Sequence, residues 1–555
     1  MTFRMEKTII YQVLPRLFGN RNTSRIANGT IAENGCGKMN DFTDAALKKI
    51  AKLGVTHVWY TGIIRHATQT DYIGYGIPRN HPAIVKGKAG SPYAITDYYD
   101  VDPDLATNVD HRMAEFEHLV ERTHQAGMKV IIDFVPNHVA RQYHSQCKPR
   151  NVKDLGVGDD ASKGFDPQNN FYYCPGQRFA PHFDLSQGDG KPYIEEPAKA
   201  TGNDHFDPYP GHDDWYETVK LNYGVDYYAG RVGHFDPIPS TWKKMTDILL
   251  FWAKKGVDAF RCDMAEMVPA EFWAYATAIV RKKFKHIQFI GEVYNPHEYR
   301  HYIASGFDLL YDKVGMYDTL RAVTCHQAPT SAITHAWQST DDIRDKMLYF
   351  LENHDEQRIG SDFFAGSPLK GIPALATAVL MQQNPFMLYF GEEYGERGMD
   401  SEGFSGRDGR TTIFDYWAVD TVCRAAKHQL TPEEKWVYAI HDKILNIVRQ
   451  EKCVSEGFFF DLMYANTHLQ RQYVFLRKAG DDLLMVAANY DDQPVSIDFC
   501  IPAYAFDFLH IEEEDVKAVD LLSKKRQAFA LRKDGRVNVQ MESRGVNIWK
   551  INLKR

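Results

Sequence analysis

Short β-branched or aromatic runs alternate with helical patterns through the first ~400 residues, and this alternation most narrows the folds open to the chain. Eight runs read as strands, at 8–14, 56–61, 129–135, 258–263, 288–293, 308–312, 347–353 and 386–391. Amphipathic stretches lie between most of them, clearest at 41–54, 113–127 and 241–256. Each of these three ends on a glycine (Gly54, Gly127, Gly256), the residue suited to the left-handed turn past a helix C-terminus. Eight parallel strands with crossover helices predict an α/β fold, a closed (β/α)8 barrel.

Two departures from regular spacing predict added domains. More than 120 residues separate the third and fourth strands, and 139–237 is rich in Gly, Pro, Asp and aromatics, as expected of an inserted domain. After Leu430 a last helix over 431–448 gives way to alternating segments such as 472–477 and 483–490, which predict a small C-terminal all-β domain of sandwich type. The expected division is therefore a barrel over 1–138 and 238–430, an insertion over 139–237, and a last helix with the β-domain over 431–555.

With 44% hydrophobic and 25% charged residues the chain is globular rather than disordered. A net charge of -8 with only isolated basic runs (281–285, 523–526) argues against a nucleic-acid partner. No apolar run approaches the ~18–20 residues of a membrane helix. The first residues show no leader-like apolar segment with a small-residue cleavage site, so a cytoplasmic location is expected. Eight cysteines lie scattered without metal-binding spacing and read as reduced thiols.

The chemistry is concentrated at strand ends. Val257, Ala259, Arg261 and Asp263 alternate onto one strand face, so a guanidinium and a carboxylate leave the same side. Three further strands end in D-F-V-P-N-H (133–138), G-E-V-Y (291–294) and E-N-H-D (352–355). Any one alone reads equally well as an ion pair, a cap or a turn. Four together, at the barrel end where active sites lie, are hard to explain by folding, because burying carboxylates costs stability unless they are paired.

These four segments resemble, in order, the motifs of the α-amylase family of glycoside hydrolases (family 13). The likeness extends to 93–103, to K-L-N-Y (220–223), and to 388–395 and 409–416 near the barrel's end. The resemblance implies a retaining glycosidase acting on an α-glucan or maltooligosaccharide such as starch or maltodextrin. Asp263 would be the nucleophile, Glu292 the acid/base and Asp355 the third acid. Arg261 would hold the nucleophile ionised and oriented, Asp133, His138 and His354 would bind the sugar at the cleavage point, and Tyr93 would be the platform beneath it. No cofactor is implied for the chemistry. A structural calcium is suggested at Asn137 and, separately, at Asn20 and Asn22, although Glu266 and Met267 stand where many starch-degrading relatives have Lys-His. Gly90 stands where exo-acting α-glucosidases often carry an aspartate, which favours an open, internally cutting cleft. An endo-acting α-amylase is therefore expected; a glucanotransferase, an exo-α-glucosidase and a non-catalytic glucan-binding relative stay open. Aromatics such as Tyr172, Tyr173, Trp215 and Tyr223 could stack on sugars, packing being the more ordinary reading.

Overall fold

The structure, a computed structural model, describes residues 7–186 and 190–553; residues 1–6, 187–189 and 554–555 lie outside it. Eight strands close a parallel barrel: β1 (Ile9–Val13), β2 (His57–Tyr60), β3 (Lys129–Phe134), β4 (Ala259–Cys262), β5 (Gln288–Gly291), β6 (Leu309–Tyr311), β7 (Met347–Phe350) and β8 (Phe386–Tyr389). Each pairs with its sequence neighbour, and β8 pairs with β1 to complete the ring. All eight expected strands are present, each of them shorter at the C-terminal end. The last residues of each expected run leave the ladder to line the mouth, which is where the acids sit.

The alternation expected for the fourth strand holds from Ala259 onward, whereas Val257, which precedes the strand, packs with the outer layer instead of the barrel interior. Ala259 packs inside the barrel with Ile10, Trp59, Ile131, Ile290 and Leu348. Phe260 and Cys262 face outward, against the helix layer. That layer includes Asp44–Lys52, Arg112–Gln125 and Ser240–Lys254, and Gly54, Gly127 and Gly256 follow them at φ +86°, +80° and +93°. The helix signals in the sequence were therefore turn chemistry, not only apolar spacing.

Two excursions rise above the mouth. Between β2 and β3 the chain forms an antiparallel pair, Ile64–His66 with Ile95–Val101, whose buried Asp97 and Asp100 are neutralised by Arg65 and Arg112. Between β3 and β4 the described residues form only two- and three-residue ladders, among them His138–Ala140 with Thr218–Lys220. At the other end, the helix Pro432–Gln450 opens with a Thr431/Glu434 capping box and leads into antiparallel strands of six- and two-stranded sheets. A helix, Ala503–Leu509, interrupts this otherwise β segment. Buried Arg477 reaches from the six-stranded sheet to Met381 O on the barrel side, 2.7 Å away. All eight cysteines are free thiols, and no described helix is long and apolar enough to cross a membrane.

Gly90, three residues before Tyr93, adopts φ +79°, and a Cβ there would lie 1.7 Å from the Ala67 carbonyl oxygen. No side chain fits this turn without moving backbone. Gly90→Ala is expected to destabilise the chain by about 2 kcal/mol or more, from left-handed strain plus the clash, read as a lowered unfolding midpoint.

Candidate active site

Arg261 is the hub of the barrel mouth. Its side chain is buried, with Nη1 2.7 Å from Asp263 Oδ1 and 3.7 Å from Asp133 Oδ1, while Nη2 lies 2.8 Å from Glu292 Oε2. Nε donates to Tyr311 Oη at 3.2 Å. The guanidinium sits over the rings of Trp59, Tyr93 and Tyr311 at 5.2–5.5 Å, so apolar faces surround what the carboxylates do not. β3, β4 and β5 thus each deliver one acid to one cation.

Asp263 keeps the ladder one residue past β4, its N–H donating to Phe134 O. The chain then breaks sharply, because Met264 takes a left-handed conformation at φ +44°. That strained residue turns its N–H onto Glu292 Oε2 at 2.7 Å, linking the two acid-bearing loops. Tyr294 Oη donates to Glu292 Oε1 at 2.7 Å. Burial raises the Asp263 carboxyl well above its ordinary range, opposed by Arg261 and reinforced by the Glu292 charge.

After β7 the run E-N-H-D divides its work. Glu352 points away, paired with Arg358 at 2.8 Å, and Asn353 caps the N–H groups of Asp355 and Glu356. His354 lies against Tyr93, ring centroids 5.2 Å apart, with Nε2 2.6 Å from Tyr93 Oη and Nδ1 2.7 Å from Gln12 Nε2. Asp133 accepts from Trp59 Nε1 at 3.0 Å and Gly62 N at 3.3 Å. Burial lifts Asp133 to about 6, and burial with the Glu292 charge lifts Asp355 to about 7. Asp355 is 41% exposed and lines the cleft with Asp263 and Glu292. Burial holds His138 at about 3 and His354 well below its usual value, leaving neutral imidazoles that can exchange hydrogen bonds with hydroxyls.

These groups open onto a cleft of about 500 Å³ lined by Tyr93, His138, Asp263, Glu292 and Asp355, and also by Trp215 and Tyr294. Trp215 faces the cleft with its ring 5.3 Å from His138. Tyr172, Tyr173 and Tyr223 are instead buried and bonded to Val225 O, Asp159 and Pro136 O, so packing accounts for them. Gln12, Trp59, Tyr294 and Tyr311 were not singled out from sequence as site residues. Tyr294 was the most legible, two residues past Glu292 in G-E-V-Y.

The residues suggested for calcium do not fit a metal. Asn137 Oδ1 accepts from Lys220 Nζ at 2.7 Å, and the same ammonium lies 2.5 Å from Asp204 Oδ1 over the Tyr227 ring. The protein's own cation fills that position. Asn20 Oδ1 and Asn22 Oδ1 accept from Asn22 N and Ser24 N, so the second loop is closed by its own turns. The cluster Asp97, Asp100 and Cys147 is likewise occupied by guanidinium groups.

The family model described as "Alpha amylase, catalytic domain" matches residues 12–433. An α-amylase of Streptomyces lividans is 25% identical over 493 residues, 82% of this chain, and the chain spans about half of that protein (49%). Alpha-amylase 3 of Dictyoglomus thermophilum is 24% identical over 480 residues, covering 81% of this chain and 79% of the relative. In structure, the noncanonic maltogenic α-amylase AmyB of Thermotoga neapolitana superposes with a TM-score of 0.63 at 19% identity over 100% of both chains, a likeness of fold.

Two outcomes follow from the charges. Asp355 binds its proton more tightly in the folded than in the unfolded chain, so its contribution favours the fold at low pH and is lost as pH rises from about 4 to about 7. Asp355→Asn should therefore raise the unfolding midpoint relative to the native chain at pH 8 and not at pH 4. Chelation should leave the midpoint unchanged, whereas Lys220→Met, which strands Asn137 and Asp204, should destabilise by about 1–3 kcal/mol.

Proposed function

Because the chain belongs to the α-amylase family of glycoside hydrolases, we propose that it hydrolyses α-1,4-glucosidic bonds inside maltodextrins or related α-glucans, with retention of configuration. The observation that carries this reading is one buried guanidinium holding both Asp263 and Glu292 at the wall of a cleft, with Asp355 also lining it. Two carboxylates on one planar fork favour the ~5–5.5 Å separation of a direct nucleophile over the ~6.5–9.5 Å that leaves room for a water.

In this mechanism Asp263 attacks the anomeric carbon while Glu292 hands a proton to the departing glycosidic oxygen. A covalent glycosyl ester to Asp263 results. Water then attacks the anomeric carbon of that ester, Glu292 taking the water's proton as the bond to Asp263 breaks, and both carboxyl groups return to their starting states. Arg261 opposes the burial that raises the Asp263 carboxyl, favouring its ionised form, and aims it at the anomeric carbon. Asp355 and the neutral His138 and His354 bind hydroxyls of the sugar at the cleavage point as its ring flattens. Tyr93, held by its bond to His354, supplies the apolar platform. The domain division fits the same scheme: a catalytic barrel over 1–138 and 238–430, an inserted domain over 139–237 forming one cleft wall, and a C-terminal unit from 431. Gly90, unable to carry a side chain, supports internal rather than end-on cutting.

Maltoheptaose digested by the native chain should yield shorter oligosaccharides of mixed length. Glu292→Gln should lower turnover by about 10²–10⁴-fold, less on aryl glycosides whose leaving groups need no proton. Products longer than the substrate would assign a transferase instead, and glucose alone an exo-glucosidase.

A further inference from the structure

The cleft wall beyond His138 and Trp215 contains a second charged pair. Lys86, from the loop after β2, places Nζ 3.1 Å from Glu217 Oε2, from the segment between β3 and β4. The two side chains are only 10% and 5% exposed, yet both line the cleft. Lys86 Nζ also donates to Asp214 O at 3.2 Å and sits 5.2 Å from the centre of the Tyr216 ring. An ammonium carries three hydrogens, one more than these two polar contacts use, and Glu217 Oε2, though buried, has no hydrogen bond beyond this ion pair among the described residues. A buried ammonium and carboxylate with unused hydrogen-bonding capacity are costly unless something else completes them.

The position indicates what that is. If Glu292 protonates the leaving oxygen, the departing part of the substrate lies on its side, toward Tyr294. Lys86 and Glu217 line the cleft with His138 and Trp215 instead, the Lys86 charge acting on the His138 ring, whereas Tyr294 is bonded to Glu292, so the pair is assigned to the part of the cleft away from the leaving group. Adjacent hydroxyls of a pyranose offer a donor and an acceptor about as far apart as this pair's own atoms. We propose that Lys86 and Glu217 bind the vicinal hydroxyls of the glucosyl unit next to the cleavage-point sugar on its non-reducing side, Lys86 donating and Glu217 accepting. The proposal rests on the glycosidase reading above. It makes the pair a determinant of minimum donor length: a substrate with two glucosyl units before the scissile bond reaches it, and one with a single unit does not.

The test compares kcat/KM for nitrophenyl α-glycosides carrying one, two and three glucosyl units, in the native chain, Lys86→Met and Glu217→Gln, with Lys86→Arg as a conservative partner. The native chain should gain roughly 10- to 100-fold from the second unit, mostly through KM. Both substitutions should reduce that gain to within about threefold, and Lys86→Arg should retain part of it. A gain that persists in both variants, or an equal loss on all three substrates with a lowered unfolding midpoint, would show the pair to be only a tie between two loops and overturn the proposal. Absence of turnover by the native chain on any α-glucoside would instead overturn the glycosidase reading, and the proposal with it.

Discussion

Arg261 carries its charge at the barrel's centre with no exposed surface, and a guanidinium there is tolerable only if carboxylates arrive from several directions at once. Adjacent strands supply them. Asp133 from β3, Asp263 just past β4 and Glu292 just past β5 meet one fork, which requires those three strands to be neighbours in fixed register. Arg261 is paired with Asp133 and with Ile290 across the ladders, so the register that closes the barrel also closes the charge cluster. A one-residue slip of β4 would turn Arg261 into the helix layer and leave the acids unpaired.

The acids outnumber the cation, and this imbalance is what makes the site reactive. Asp263 and Asp355 are both held above their ordinary range by burial and by the Glu292 charge. The histidines do not offset it, since burial beside Arg261 and Lys220 keeps them neutral. A site of this kind is stabilised by an electron-poor ring carbon and by hydroxyl donors, which is what an oxocarbenium-like sugar presents. The strain at Met264 serves the same geometry, because only a backbone reversal directly after Asp263 brings its N–H onto Glu292.

Much of this was legible in the sequence because period and position carry it. Strand alternation placed Arg261 with Asp263, and glycines marked the helix ends. The C-terminal ends of the strands were less legible: a strand's propensity does not change where the chain leaves the ladder, yet that is where Asp263, Glu292 and Asp355 sit. Partners supplied by apolar-looking segments were hidden as well. Gln12 in I-I-Y-Q-V and Trp59 in H-V-W-Y read as core, and only barrel closure aims them at His354 and Asp133. The resemblance suggested Asn137 as a metal ligand, and nothing in K-L-N-Y indicates that Lys220 points at it.

That lysine shows how charge ties the inserted segment to the barrel. Lys220 pairs across the short ladder from His138, so its side chain and the imidazole beside the cleft are set by the same few backbone bonds. The ammonium anchors Asn137, one residue from His138, to Asp204 deep in the insertion. Lys86 and Glu217 join the same insertion to the loop carrying Tyr93. Lys220 and Glu217, the partner of Lys86, thus both lie in the run from Trp215 to Lys220, whose ladder with His138–Ala140 is only three residues long. Short ladders of this kind have little cooperative stability of their own. The ion pairs therefore supplement the few ladder hydrogen bonds that place Trp215 and His138 beside the acids.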